Sequence, residues 1–162
     1  MKDIWGTVMY KRILVALDGS LSASLALEEA LKLARSVDAM LMVACVVSHG
    51  ICDPVSGGMG DAGGHVSAHR QLDRVRALCA GGGLHGEVRC ITQIIDAHGA
   101  SIPDALMQAA QAFEADLIVM GAHGPRDVRR HLIGSVAEAV LRSSHVPVLT
   151  VRDAQHDAAF AI

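Results

Sequence analysis

Along the chain, short apolar runs rich in β-branched residues alternate with longer segments in which apolar positions return at helical spacing. Ile13-Leu14-Val15-Ala16-Leu17, closed by Asp18-Gly19-Ser20, predicts a first strand and its exit turn. Ser20 is placed to cap a helix in which Ala23, Leu27, Ala30, Ala34 and Val37 share one face, while Glu28 precedes Lys32 by one turn on the solvated side. Met40 to Val47 is apolar throughout, as in a parallel strand covered on both faces. A long glycine-rich loop, Ser48 to Gly64, separates it from a second helix over about Val66 to Ala80. That helix carries Leu72, Val75 and Leu78 on its apolar face and stops at Gly81-Gly82-Gly83.

Glu87 to Ile95 predicts a third strand. Ser101-Ile102-Pro103-Asp104 opens a third helix, along which Ile102, Leu106, Ala109, Ala110 and Phe113 line up. Asp116 to Gly121 reads as a fourth strand. Gly134-Ser135 begins a fourth helix with Val136, Val140 and Leu141 facing inward, and Val146 to Val151 reads as a fifth strand. Strand followed by helix, repeated to a closing strand, is the grammar of an α/β fold with an open five-stranded parallel sheet, right-handed crossovers and helices on both faces. In such sheets ligands bind beyond the carboxyl ends of the strands, where strand order reverses. Two groups stand at those ends: Asp18 after the first strand and the glycines after the fourth. If these strands are neighbours, Asp18 faces the glycines.

Composition sets further bounds. The 162 residues fit one domain, 11–152, between an N-terminal extension, 1–10, and a C-terminal tail, 153–162. A hydrophobic share of 51% is enough for a core without disulfides or structural metal. Trp5, Tyr10, Phe113 and Phe160 are the whole aromatic set, too few for base-stacking platforms, and a net charge of −3 with no basic stripe argues against a nucleic-acid partner. The longest apolar run, Ala39 to Val47, is about half of the roughly 20 residues that a membrane helix needs, so no membrane insertion is expected. With no basic, apolar and small-residue succession at the start, the expectation is a cytoplasmic protein. The cysteines form no CxxC pair, and Cys45 and Cys90 read as small buried hydrophobes.

The candidate chemistry lies in Gly121-Ala122-His123-Gly124, nine further residues, then Gly134-Ser135. A strand that ends in glycines and leads to a helix N-terminus gathers unpaired N–H groups and the positive end of a helix dipole, which is an anion site. Neither GxGxxG after the first strand nor a Gly-Lys-Ser/Thr phosphate loop is present. Ser135-Val136-Ala137-Glu138 is also a capping box, and Asp18 is also an ordinary turn residue, so each has a reading that needs no ligand. Arg126, Arg129, Arg130 and His131 read as a solvated charge run. His65 and His69 lie one turn apart with no carboxylate or cysteine to complete a metal set. No catalytic group and no metal ligand set is predicted.

With these motifs the chain resembles a universal stress protein of the ATP-binding subgroup. The likeness covers Lys11 to about Arg152, with Ile13 to Ser20, Ala115 to Gly121, Val146-Pro147-Val148-Leu149 and the G-x-x-G, nine-residue, G-S pattern as its most specific parts. The resemblance implies a Rossmann-like fold of the adenine nucleotide alpha hydrolase type, strand order 3-2-1-4-5, and a homodimer through the last strand, about Val146 to Val151. It implies ATP as the ligand, with the phosphates on Gly121, Gly124, Gly134, Ser135 and the backbone of Val136. His123 sits within this cradle, its backbone binding and its side chain turned to solvent. Pro125 removes one N–H beside it. On the same likeness Asp18 corresponds to an acid near the ribose, where it would accept from hydroxyls or hold a divalent ion, Mg²⁺ or Mn²⁺. Ala16 and Leu17 would wall the adenine, Met120 matches the family position, and the backbone at Val46 would read the base edge.

Three functions follow from this reading. The leading one is an ATP-binding stress-response regulator with an unidentified protein partner. The second is a slow ATPase, for which no phosphate lysine, base or arginine finger is evident. The third is a nucleotide-free dimeric interaction module.

Overall fold

The computed structural model describes residues 9–47, 62–80, 87–125 and 133–153. The terminal segments before 9 and after 153, residues 48–61 of the glycine-rich loop, the glycine stop at 81–83 and the charge run at 126–131 lie outside the described residues. The strands are β1 (Arg12–Ala16), β2 (Met40–Val47), β3 (Cys90–Asp96), β4 (Leu117–Gly121) and β5 (Val148–Val151). Between them run α1 (Leu21–Val37), α2 (Ala62–Ala80), α3 (Ile102–Phe113) and α4 (Ser135–Ser143). All five strands pair in parallel in the order β3-β2-β1-β4-β5, as expected.

Alternation along the central strands divides the core. Ile13 and Val15 join Val43, Leu27, Ala30, Leu72 and Val75 under α1 and α2. Leu14 joins Met42, Ile118, Leu106, Phe113 and Val140 under α3 and α4. The side chains of β1 are therefore buried on both faces of the sheet, the arrangement that continuous apolar strands require. At the base of the sheet Asp116 accepts from the backbone N–H groups of Lys11 (2.7 Å) and Arg12 (3.0 Å). Its own N–H donates to the Arg12 carbonyl at 2.9 Å. These bonds hold β1 beside β4 in the register Ala16↔Met120, which sets the far ends of the two strands next to each other.

Several local expectations are corrected. α2 begins a turn earlier than predicted, because the glycines at 63 and 64 hide its first turn from a propensity reading. Its buried stripe runs Ala68, Leu72, Val75, Cys79, so the neighbouring Leu78 is turned out and 54% exposed. On α4 the buried positions are Ala137 and Val140; Leu141, the next residue round the helix, is 41% exposed, and Val136 is half-buried. Cys45 is buried as expected, whereas Cys90 is half-buried and Cys79 is, among the described residues, the second buried thiol. β3 and β5 start later than the apolar runs suggest, at Cys90 and Val148. Among the described residues, no helix is long and apolar enough to cross a membrane.

Candidate functional site

Past the carboxyl ends of β1, β2 and β4 the sheet opens into a cavity of about 880 Å³. Ala16, Leu17, Asp18, Val46, Met120, Gly121, His123, Gly124, Gly134, Ser135 and Val136 all line it. The sequence-predicted residues are thus brought together in one space, although they come from four separate segments. Ala16, Ala44, Val46, Leu106 and Met120 give the lining apolar surface, and Asp18, Ser67, Gln71 and Ser135 give it polar side chains.

The β1–α1 turn presents Asp18. One carboxylate oxygen, Oδ1, accepts from the Ser20 N–H at 2.9 Å, so the turn role read from the sequence is real. The other oxygen, Oδ2, faces Gly124, and a Cβ built at residue 124 would stand 3.8 Å from it. Asp18 therefore fixes its own loop with one oxygen and offers the second to the cavity. The Ser20 hydroxyl accepts from Ala23 N at 3.1 Å and so caps α1 from within. Ser101 does the same for α3, accepting from Asp104 N.

α4 is different. Its N-cap is Gly134, with no side-chain cap, and Ser135 is the first helical residue rather than the cap. The capping-box reading of Ser135 and Glu138 is therefore overturned; Glu138 instead pairs with Arg142 one turn on. The first-turn N–H groups of Ser135, Val136 and Ala137 have no intrahelical acceptor and meet no capping group among the described residues. The exposed Ser135 hydroxyl stands beside them. Gly134 contributes position rather than a donor, because its own N–H is bonded to the Ala122 carbonyl at 2.7 Å.

Two further residues differ from expectation. Gly121 is required by packing against α1: a Cβ there would come within 2.7 Å of Ala23 N and closer still to Ser22 Oγ. The His123 side chain is 8% exposed rather than turned to solvent, and its carbonyl accepts from the Ser22 hydroxyl at 2.8 Å. The first turn of α1 thus grips the segment after β4 from behind.

Val46 stands where β1 has ended. The last β1–β2 pair is Ala16↔Ala44, and the Ala44 carbonyl accepts from Leu17 on the β1 side. The Val47 carbonyl accepts from Ala97 on the β3 side. Backbone groups alternate sides along a strand, so the Val46 N–H and C=O point to the β1 side, where no strand remains to pair with them. Among the described residues, a donor and an acceptor are left side by side at the cavity wall.

The sequence reading missed the contribution of α2. Ser67, Ala68 and Gln71 line the cavity beside Leu17, Cys45 and Val47. A crossover helix runs antiparallel to its strands, so its first turns lie over the carboxyl edge of the sheet. Ser67 and Gln71, one turn apart there, carried a usable signal. Cys45, deep in this part of the wall, has its thiol pushed up to about 11 by burial, with a smaller push from the Asp18 carboxylate.

Residues 9–152 match the family model described as the universal stress protein family. A universal stress protein of Thermus aquaticus is 33% identical over 145 residues, covering 89% of this chain and all of its own length. Among solved structures, universal stress protein UspA from Lactobacillus plantarum has 26% identity and a TM-score of 0.71, covering 88% of this chain and 98% of its own. A universal stress protein solved in complex with cAMP has 26% identity and a TM-score of 0.62, covering 89% of this chain and 98% of its own.

Proposed function

We propose, from the premise that the chain belongs to the universal stress protein family, that its cavity binds ATP and that the protein works as a nucleotide-responsive regulator. The observation that carries this reading is the N-terminus of α4, which meets no capping group among the described residues and opens into the same cavity as Asp18 Oδ2 and the backbone edge of Val46 that β1 leaves unpaired. Each group suits one part of the nucleotide. The α4 N–H groups and the Ser135 hydroxyl suit phosphate oxygens. The Asp18 carboxylate suits ribose hydroxyls or a Mg²⁺ or Mn²⁺ ion at the phosphates, and the adjacent donor and acceptor of Val46 suit the edge of an adenine walled by Ala16 and Leu17. A family neighbour at 26% identity was solved with cAMP, which supports an adenine nucleotide here.

Binding rather than turnover is the centre of the reading. The described lining contains no lysine or arginine, so phosphate charge falls to backbone donors, the helix dipole and a divalent ion. In this reading the protein is a cytoplasmic homodimer joined through β5, whose outer edge and half-exposed Leu149 offer a surface for a two-fold partner. Nucleotide occupancy then biases the dimer or its choice of regulatory partner. Mass spectrometry of ligand released from freshly purified protein, followed by calorimetric titration of the emptied protein with ATP, tests the reading. An adenine nucleotide in the first and saturable heat in the second are expected; a preparation that releases none and takes up none sinks it.

A further inference from the structure

Gln71 of α2 brings a carboxamide to the cavity wall beside the β1–α1 turn. Its carboxamide lies against the β1–α1 turn, and a Cβ at Gly19 would stand 3.2 Å from Gln71 Nε2. Gly19 has a φ of +83°, so that position needs glycine for its backbone as well as for this close approach. The Nε2 group donates to the Ser67 hydroxyl at 3.3 Å. The other end of the amide, Oε1, is buried from solvent and has no hydrogen-bond donor among the described residues.

A buried carbonyl oxygen without a donor is destabilising, and native folds rarely keep one without a use. Here the amide borders a cavity, one residue from the Asp18 carboxylate in the facing turn. The torsion that turns a carboxamide is broad, so Oε1 can swing into the cavity without any movement of α2. A group that meets both Oε1 and the free Asp18 oxygen, two acceptors on the wall of one cavity, must donate hydrogen bonds, and a pair of vicinal hydroxyls supplies two such donors.

We propose that Gln71 is a specificity-determining residue that accepts a hydrogen bond from a ribose hydroxyl and, with Asp18, makes the site select ribonucleotides over their deoxy counterparts. This inference rests on the nucleotide reading of the cavity. It gives α2 a direct part in ligand recognition, on the wall opposite the α4 phosphate donors.

The test is calorimetric titration of the full chain with ATP, 2′-deoxy-ATP and 3′-deoxy-ATP, for the native protein, Gln71→Met and Gln71→Glu. Native protein is expected to prefer ATP over at least one deoxy analogue by about threefold to tenfold, the scale of one neutral hydrogen bond. Gln71→Met, close to isosteric but without the acceptor, loses the preference over the one analogue that lacks the hydroxyl Gln71 accepts from, keeps any preference due to Asp18, and binds that analogue as well as native protein does. Gln71→Glu keeps an acceptor and keeps the preference, even where its added charge weakens all three ligands alike. A purely structural role would lower all affinities in Gln71→Met and leave the ratio intact, which overturns the inference. ATP binding with an unchanged ratio in both variants overturns it while the nucleotide reading stands. If native protein binds none of the three, both readings fall.

Discussion

Asp18 and Gly124 face each other across the gap between the ends of β1 and β4, with Asp18 Oδ2 3.8 Å from where a Cβ of residue 124 would stand. That is ordinary van der Waals contact, so residue 124 has room for a methyl group in the space a ligand would use. Gly121 has no such room, because the backbone of Ser22 and Ala23 presses on it. The two glycines of one motif therefore do separate jobs. Gly124→Ala is expected to keep unfolding free energy within ~0.5 kcal/mol and to weaken ATP binding about tenfold by filling the approach to the backbone. Gly121→Ala is expected to cost ~1–3 kcal/mol by overpacking. Urea unfolding and ATP titration of both variants separate the roles; equal stability losses would contradict the assignment.

Ser135 offers a sharper separation of fold from site. As the first residue of α4, uncapped by any side chain, it contributes no cap that an alanine would remove. Ser135→Ala should leave the thermal midpoint within a degree or two, since changes away from caps and core are typically small. The same change should lower ATP affinity about tenfold by removing one hydrogen bond to an anionic oxygen. A stability loss of ~1 kcal/mol, the usual cost of a lost N-cap, would restore the capping role.

The strand-helix alternation and the place of Asp18 and the glycines at strand ends were legible from strong local signals, whereas the strand order and the parts of Ala16, Leu17, Val46 and Met120 came from the family likeness. Apolar runs such as Met40–Val47 admit few alternatives in a strand-helix alternation, and Asp18 and the 121–135 segment stand at strand ends. What escaped was set by tertiary geometry. Nothing in Ser135-Val136-Ala137-Glu138 itself reveals that Gly134 takes the cap position; the pull of the Ala122 carbonyl on Gly134 N–H decides it. His123 is buried because Ser22, 101 residues earlier, holds its carbonyl. Gln71 belongs to the site through helix direction, a signal that its place one turn after Ser67 near the start of α2 carried and that the reading of motifs alone passed over.

Asp116 carries a structural duty that its place at the head of a strand does not advertise. Its two carboxylate oxygens take the N–H groups of Lys11 and Arg12, and so set the β1–β4 register on which the cavity depends. Asp116→Ala removes both acceptors from a solvent-reachable corner, where water replaces part of what is lost. The expected cost is ~1–3 kcal/mol, near the upper range for hydrogen bonds to a charged group. Asp116→Asn, which keeps one acceptor, should recover about half of it. Denaturant midpoints at constant slope report the order native, Asn, Ala; hydrogen exchange at Lys11 and Arg12 should accelerate in the same order.

Cys45 gives the site a pH signature of stability. Burial raises its thiol from about 9 to about 11, with the Asp18 carboxylate adding to the shift. Between these values the folded protein holds the proton and the unfolded chain releases it. By linkage, the stability this thiol contributes is fully present below about pH 9 and is lost as pH rises towards about 11. Cys90, raised to about 12 by burial and by its hydrogen-bonded neighbour Cys79, acts in the same direction, so Cys45 must be isolated by difference. The stability gap between native protein and Cys45→Ala should therefore narrow from pH 8 to pH 10.5 in urea unfolding. Asp18→Asn removes the lesser cause alone and should bring the Cys45 thiol modestly down, read from thiolate absorbance in a variant in which the other cysteines are replaced. A gap that widens with pH would mean that the thiolate, not the thiol, is the form the cavity wall favours.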